Sequence, residues 1–348
     1  MNKFIYFICT VFLSSACVQK AAKKPISVSF YHWKTALNIS KNQTLLDTLN
    51  VQKLYVKFFD VDWDASKAAP TPQAILELNP DSSEWSHEIV PTVFITNRVF
   101  TNISSAEISK LAENVSNKIT EISSFFAPEQ VKEWQFDCDW TAASREKYFL
   151  FLEKIKEKIK ENINPKNIKL SVTIRLHQLK YAQKTGVPPA DKGVLMCYNT
   201  GDLDQPDTEN SILNLRACQQ YFEPKTPYPL ILDVALPLFS WGVLIRDRQA
   251  IRLMRYFDRT MLLDSSRFEK KSVTVTNVTK NTFLNGYYLY KNDVIRLESI
   301  SADTLAAVLD YAKTHLEQPP DQVIFFDLAD ENLKDFSAAI IRNITANH

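Results

Sequence analysis

The stretch WQFDCDWT, residues 134–141, places two carboxylates two positions apart inside an apolar run. Burying one charge in such a run is costly, and burying a second beside it costs more. Either both aspartates reach a polar cavity or a cation neutralises them. As a β-strand the stretch resolves the conflict by alternation. Gln135, Asp137, Asp139 and Thr141 fall on one face, and Phe136, Cys138 and Trp140 on the other. The apolar set suits a layer of helices, and the polar set suits the inside of a closed barrel near its C-terminal mouth.

Seven further short apolar runs flank this one: 26–33, 53–61, 89–96, 168–175, 193–199, 229–237 and 322–328. All are rich in Val, Ile, Phe and Tyr, as strands covered on both faces are. Helical patterns lie between them, clearest over 106–125 and 144–163. In the second, Tyr148, Phe151, Leu152, Ile155 and Ile159 recur at three- and four-residue steps. Similar periods run over 305–316 and 332–344. Eight alternations of strand and helix predict an α/β fold, a (β/α)8 TIM barrel. An open doubly wound sheet is the alternative, but the first turn lacks the glycines that fold would use. Residues 271–300 break the rhythm with period-two alternation and an Asn285-Gly286 hairpin signal. They predict a small α+β insertion between strand seven and the last crossover helix.

The N-terminus reads as a separate segment. Residues 4–13 (FIYFICTVFL) are apolar or small, and Ser14-Ser15-Ala16 lead into Cys17. That is the pattern of a signal peptide over 1–16, too short to span a bilayer. It resembles a bacterial lipoprotein signal, which implies lipidation at Cys17, a tether over 17–25 and a place in the cell envelope, periplasmic or at the cell surface. The barrel then occupies 26–348. Even without its first 16 residues, the 348-residue chain is long for an ordinary domain but normal for one large barrel.

Composition excludes several classes. The net charge of +1 and the lack of a long single-sign run argue against nucleic acid as a partner. Five glycines in the whole chain leave no phosphate-cradling loop, and the five histidines have no paired metal-ligand spacing. Asp60, Asp62 and Asp64 alternate like part of a calcium loop, but the Gly and distal Glu of an EF-hand are missing. No metal or cofactor is expected. Cys138, Cys197 and Cys218 read as buried small hydrophobes. A monomer is expected.

Other strands add candidates to the same mouth. Strand five groups Ser171, Thr173 and Arg175, and strand six groups Met196 and Tyr198, with Asn199 at the rim. Tyr31, Trp33, Trp63 and Trp241 fall near strand ends, where aromatic faces could stack on sugar rings. Trp33 and Trp241 are the best of these.

Asp-x-Asp on strand four followed by Met-x-Tyr-Asn on strand six resembles family 18 glycoside hydrolases, the chitinase-like barrels, and a related uncharacterised bacterial family. That family also carries a small α+β insertion at the position of 271–300. The resemblance implies that Asp137 and Asp139 are the inner aspartates, the later one orienting a substrate N-acetyl group. It implies that Tyr198 helps hold the acetamido oxygen, and that Met196 and Asn199 line the subsite. Two positions depart from the pattern. The proton-donating Glu falls at Thr141, whose hydroxyl cannot act as a general acid near neutral pH. The sugar-floor tryptophan falls at Asp327. The expected function is therefore glycan binding at the mouth of a glycoside-hydrolase-like lipoprotein without efficient catalysis. The alternatives are a glycosidase using Asp139 with another mouth carboxylate, and a protein-docking scaffold. A purely structural role for Asp137 and Asp139, paired with Lys57 or Arg175, is also open.

Overall fold

The computed structural model describes residues 25–346 except 39, 79–85, 163–166, 204, 206–207, 223–226, 256 and 258. The expected signal peptide and Cys17 lie outside the described residues. In chain order the first strands are β1 (Ser27–His32), β2 (Lys53–Asp64), β3 (Ala69–Gln73), β4 (Glu88–Ile95), β5 (Glu133–Asp137), β6 (Lys169–Arg175), β7 (Lys192–Met196) and β8 (Leu232–Pro237). An insertion follows with β9 (Trp241–Arg246), β10 (Gln249–Arg255), β11 (Phe268–Lys270), β12 (Val275–Val278), β13 (Thr282–Leu284), β14 (Tyr287–Leu289) and β15 (Val294–Glu298). The last strand is β16 (Gln322–Phe326). The helices are α1 (Gln43–Thr48), α2 (Asn97–Asn102), α3 (Ile108–Ser123), α4 (Arg145–Asn162), α5 (Leu176–Lys180), α6 (Ala182–Thr185), α7 (Leu215–Gln219), α8 (Ala302–His315), α9 (Asp330–Leu333) and α10 (Ala338–Thr345).

Eight parallel strands close into a barrel. Their order is β1, β2, β4, β5, β6, β7, β8 and β16, and β16 pairs back with β1. The chain is a (β/α)8 barrel, as the eight alternations predict. Two cores result from period-two alternation. Outside the strands, Phe136, Cys138 and Trp140 join the helix-facing core. Phe136 meets Phe151 of α4 edge-on at 5.2 Å, and Trp140 stacks on Tyr148 at 5.4 Å. Inside, Tyr31, Tyr55, Val90, Val194, Met196, Ala235 and Ile324 pack together.

The closed end of the barrel is charged. Lys53 bonds Glu133 at 2.9 Å and Glu88 at 3.0 Å. Lys192 lies 3.8 Å from Glu133 and pairs with Asp233. The Tyr55 hydroxyl donates to Gln322 at 2.9 Å. Glu133 and Asp233 are almost wholly buried, and the partly exposed Lys53 and Lys192 neutralise them.

The insertion is larger than 271–300 and begins at Trp241. Its five-stranded antiparallel sheet runs β10-β9-β15-β12-β11, and β13–β14 forms a separate hairpin. The Asn285-Gly286 turn is present, with φ of 46° and 82°. The β9–β10 turn uses Asp247 and Arg248 at φ 49° and 63°. Positive φ at both central positions is the type I′ pattern, and this pair carries no glycine signal for it.

Candidate functional site at the barrel mouth

The alternation read from WQFDCDWT holds. Gln135 accepts from the Tyr31 hydroxyl at 2.8 Å inside the barrel. One turn of the pleat higher, Asp137 Oδ1 accepts from the Thr173 hydroxyl at 2.6 Å and lies 3.4 Å from Arg175 Nη2. Arg175 Nε also donates to Asp139. One guanidinium therefore spans both aspartates. Their side chains differ sharply in exposure, 7% for Asp137 and 55% for Asp139. Burial pushes the Asp137 carboxyl above its usual range even though Arg175 pulls it down. The Arg175 guanidinium stays charged, held up by both carboxylates against the cost of burial. Of the cations weighed for these acids, Arg175 is the partner of both.

Lys57 takes a different carboxylate. A register shift between Lys57 and Phe59 puts an extra residue into β2. Such a bulge re-aims side chains. Phe58 and Phe59 both reach the outer core, while Lys57 sits 3.1 Å from Asp60 Oδ2 and 5.6 Å from the centre of the Trp33 ring. Burial raises the Asp60 carboxyl, whose Oδ1 has no hydrogen-bond partner. Asp62 turns instead to Thr96 and Arg98, and Asp64 caps the turn at Ser66 and Lys67. These three aspartates form no calcium loop, and no cluster of metal-ligating side chains is found among the described residues.

Tyr198 lies above Met196, to whose sulfur its hydroxyl donates at 2.9 Å, and it also bonds Arg175. Burial pushes the phenol up, so it stays protonated. Asn199 is exposed at the rim with φ 56°, a conformation asparagine tolerates. Around Tyr198 runs an arc of rings. Trp33 lies 5.2 Å from Phe326, Phe326 5.9 Å from Tyr198, Tyr198 6.0 Å from Phe239, and Phe239 5.1 Å from Trp241. The Trp241 indole N–H donates to Glu298 at 2.8 Å, which fixes its edge against the insertion.

Several expectations need correction. Asp327 does not face the mouth. Its buried carboxylate accepts from Asn332 of α9 and from the Ala329 backbone, so it braces its own loop. The preceding residue, Phe326, carries the ring that points inward with Ile324. The cue was present in QVIFFDL, where Ile324 and Phe326 share a face. Phe239, beyond β8, was also missed. Tyr31 is too deep to contact a ligand, and Trp63 packs on the outer core. Thr141 is exposed, as a residue at the mouth rim can be. Its N–H donates to Ser144 Oγ at 2.9 Å and its carbonyl accepts from Arg145, so it caps α4. No acid stands at that position.

No protein-family model and no curated protein matches the chain. Solved structures do. A chitinase from Bacteroides thetaiotaomicron superposes with a TM-score of 0.56 at 11% identity, covering 92% of this chain and 97% of the other. The spore cortex-lytic enzyme SleL of Bacillus megaterium gives 0.54 at 12%, covering 94% and 76%. A variant of the Nicotiana tobaccum class V chitinase, solved in complex with NAG4, gives 0.50 at 11%, covering 93% and 99%. At such identities the likeness is one of fold, and in fold this chain remotely resembles the chitinase-like barrels of family 18 glycoside hydrolases.

Proposed function

We propose that the barrel mouth binds a glycan and does not cleave it efficiently. The observation that carries the reading is Arg175. It holds Asp139 and Asp137 together while the acid position is occupied by Thr141. A substrate-assisted hydrolase needs an aspartate free to orient its substrate and a nearby group with a pKa close to the working pH. Here the first is tied to a cation, and a threonine stands at the position of the second. The ring arc from Trp33 to Trp241 remains suited to stacking on the apolar face of pyranose rings. Rim hydrogen bonding from Asn199, Asp139 and Arg175 would supply orientation. The oligosaccharide held by the tobacco chitinase supports a glycan over a protein ligand. The signal-like segment before Cys17 supports a lipid-anchored place in the bacterial envelope, with the membrane reached only through that anchor.

A second reading keeps some support. Asp60 is a half-buried carboxylate whose raised pKa suits an acid, so Asp139 and Asp60 together could run slow hydrolysis. Calorimetric titration with oligosaccharides of several classes, run beside a reducing-end assay, separates the two. Saturable heat without new reducing ends is expected. Hydrolysis abolished by Asp139→Asn would establish the enzyme instead, and no binding to any glycan would end both readings.

A further inference from the structure

The insertion carries a charge that the rest of the chain does not. From Trp241 to Glu298 stand eleven Lys and Arg against six Asp and Glu, a net +5, while the whole chain sums to +1. The β13–β14 hairpin lies in this segment, and period-two alternation gives it two faces. Leu284, Tyr287 and Leu289 turn to the core of the insertion. Phe283 and Tyr288 stand opposite each other on the other face, and Tyr290 meets Tyr288 edge-on at 4.9 Å. These three rings are 65%, 51% and 48% exposed. Tyr290 rests on Arg246, whose guanidinium is 4.4 Å from the ring centre and is held by Asp293 at 2.7 and 2.8 Å. Arg246 ends β9, roughly 15 Å along the strand from Trp241 at its start, so the hairpin rings stand apart from the arc at the mouth. Lys291 N–H donates to Asn281 Oδ1 at 2.8 Å, which brings Lys280 and Lys291 side by side at the open end of the hairpin. Lys280, Asn281, Lys291 and Asn292 are all exposed.

We propose that the outer face of this hairpin is a second carbohydrate site, separate from the mouth, that takes an acidic polysaccharide with carboxylates on its pyranose rings. Phe283, Tyr288 and Tyr290 form a row of ring faces and edges suited to the apolar faces of sugars. The amides of Asn281 and Asn292 suit sugar hydroxyls, and the ammonium groups of Lys280 and Lys291 suit carboxylates. The net +5 of the insertion favours an anionic chain over a neutral one and draws it in from a distance. Size argues against a second copy of this chain as the occupant. The three rings leave roughly 350 Å² open. Two such faces together fall short of the about 1,000 Å² that a stable interface buries.

Calorimetric titration of the full chain with a galacturonate hexamer tests the site, with a glucose hexamer as the neutral comparison. The wild type should bind the galacturonate hexamer. Phe283→Ser combined with Tyr288→Ser should weaken that binding about tenfold or more, and Lys280→Glu combined with Lys291→Glu should do the same. Raising salt from about 0.15 M to about 0.5 M should weaken it several-fold, because the screening length shortens. With the glucose hexamer the hairpin variants should match the wild type, so a failure here is read separately from a failure at the mouth. No heat with the galacturonate hexamer overturns the proposal. So does undiminished binding by both hairpin variants, an equal loss of the glucose hexamer, or equally tight binding of polyphosphate, which offers charge without a ring. Hairpin-dependent binding to vesicles containing phosphatidylglycerol, without binding of the galacturonate hexamer, would assign the face to a lipid surface and overturn it as well. Should the aromatic double variant fail to fold, the lysine pair decides.

Discussion

Replacing Arg175 by Met separates the two aspartates it holds. Asp139 is more than half exposed, so its pairing with Arg175 contributes little, at most about 1 kcal/mol after solvent screening. Asp137 is the costly partner. It is buried, and among the described residues its carboxylate accepts side-chain hydrogen bonds from Arg175 and the Thr173 hydroxyl. Removing the cation leaves a buried charge with one neutral hydrogen bond, which costs about 3 kcal/mol. For a chain of this size that lowers Tm by roughly 6 °C at pH 7. The sign of the pH dependence follows. The Asp137 carboxyl is already raised in the fold, and losing Arg175 raises it further. A raised acid costs stability above its folded pKa, and the cost fades as pH falls through that pKa towards the unfolded value. The deficit of Arg175→Met should therefore shrink between pH 7 and pH 4.5, and Asp137→Asn should rescue it in the double variant. Urea melts of the three proteins at several pH values read this directly. A loss below about 1 kcal/mol at pH 7 with no pH dependence would refute the pairing as the source of order at the mouth.

Other outcomes follow from the same geometry. His32 is buried beside β1's end, bonded to the Ala36 carbonyl at 3.1 Å, and burial lowers its pKa to about 4. The folded state then binds fewer protons than the unfolded one between about pH 4 and 6.5. His32 thus costs the fold about 3 kcal/mol on acidification through that window, and the stability gap to His32→Asn should close or invert over it in melts at matched salt. At the closed end, Glu133→Gln leaves Lys53 with Glu88 and Lys192 with Asp233. The expected loss is about 2 kcal/mol by urea denaturation, short of the full penalty for an unpaired buried charge. Thr141→Glu restores a carboxylic acid at the rim, yet Arg175 still holds Asp139, so reducing-end release should rise less than tenfold rather than the hundredfold or more a working acid gives.

How much of this was legible depends on the element. Strand alternation is a strict period of two, so WQFDCDWT alone placed Phe136, Cys138 and Trp140 outward and Asp137 inward. The same rule grouped Thr173 with Arg175 and Met196 with Tyr198. It failed where the backbone departs from the period. The bulge after Lys57 sends Phe58 and Phe59 to one core and brings Asp60 to Lys57. At β16 the rule holds and turns Ile324 and Phe326 inward, one residue away from the Asp327 position that the family pattern points to. The first hairpin of the insertion was invisible because Asp247-Arg248 turns without glycine or asparagine.

Glycan binding at the mouth depends most on Trp33, which joins the ring arc at its β1 end and lies under Lys57. A glycan array probed with the wild-type protein and with Trp33→Ala tests it directly. The expected result is retention of the wild type on at least one class of oligosaccharide and loss of that signal in the variant, with the variant's melting curve still cooperative. Equal retention of both proteins, or retention of neither, would contradict it.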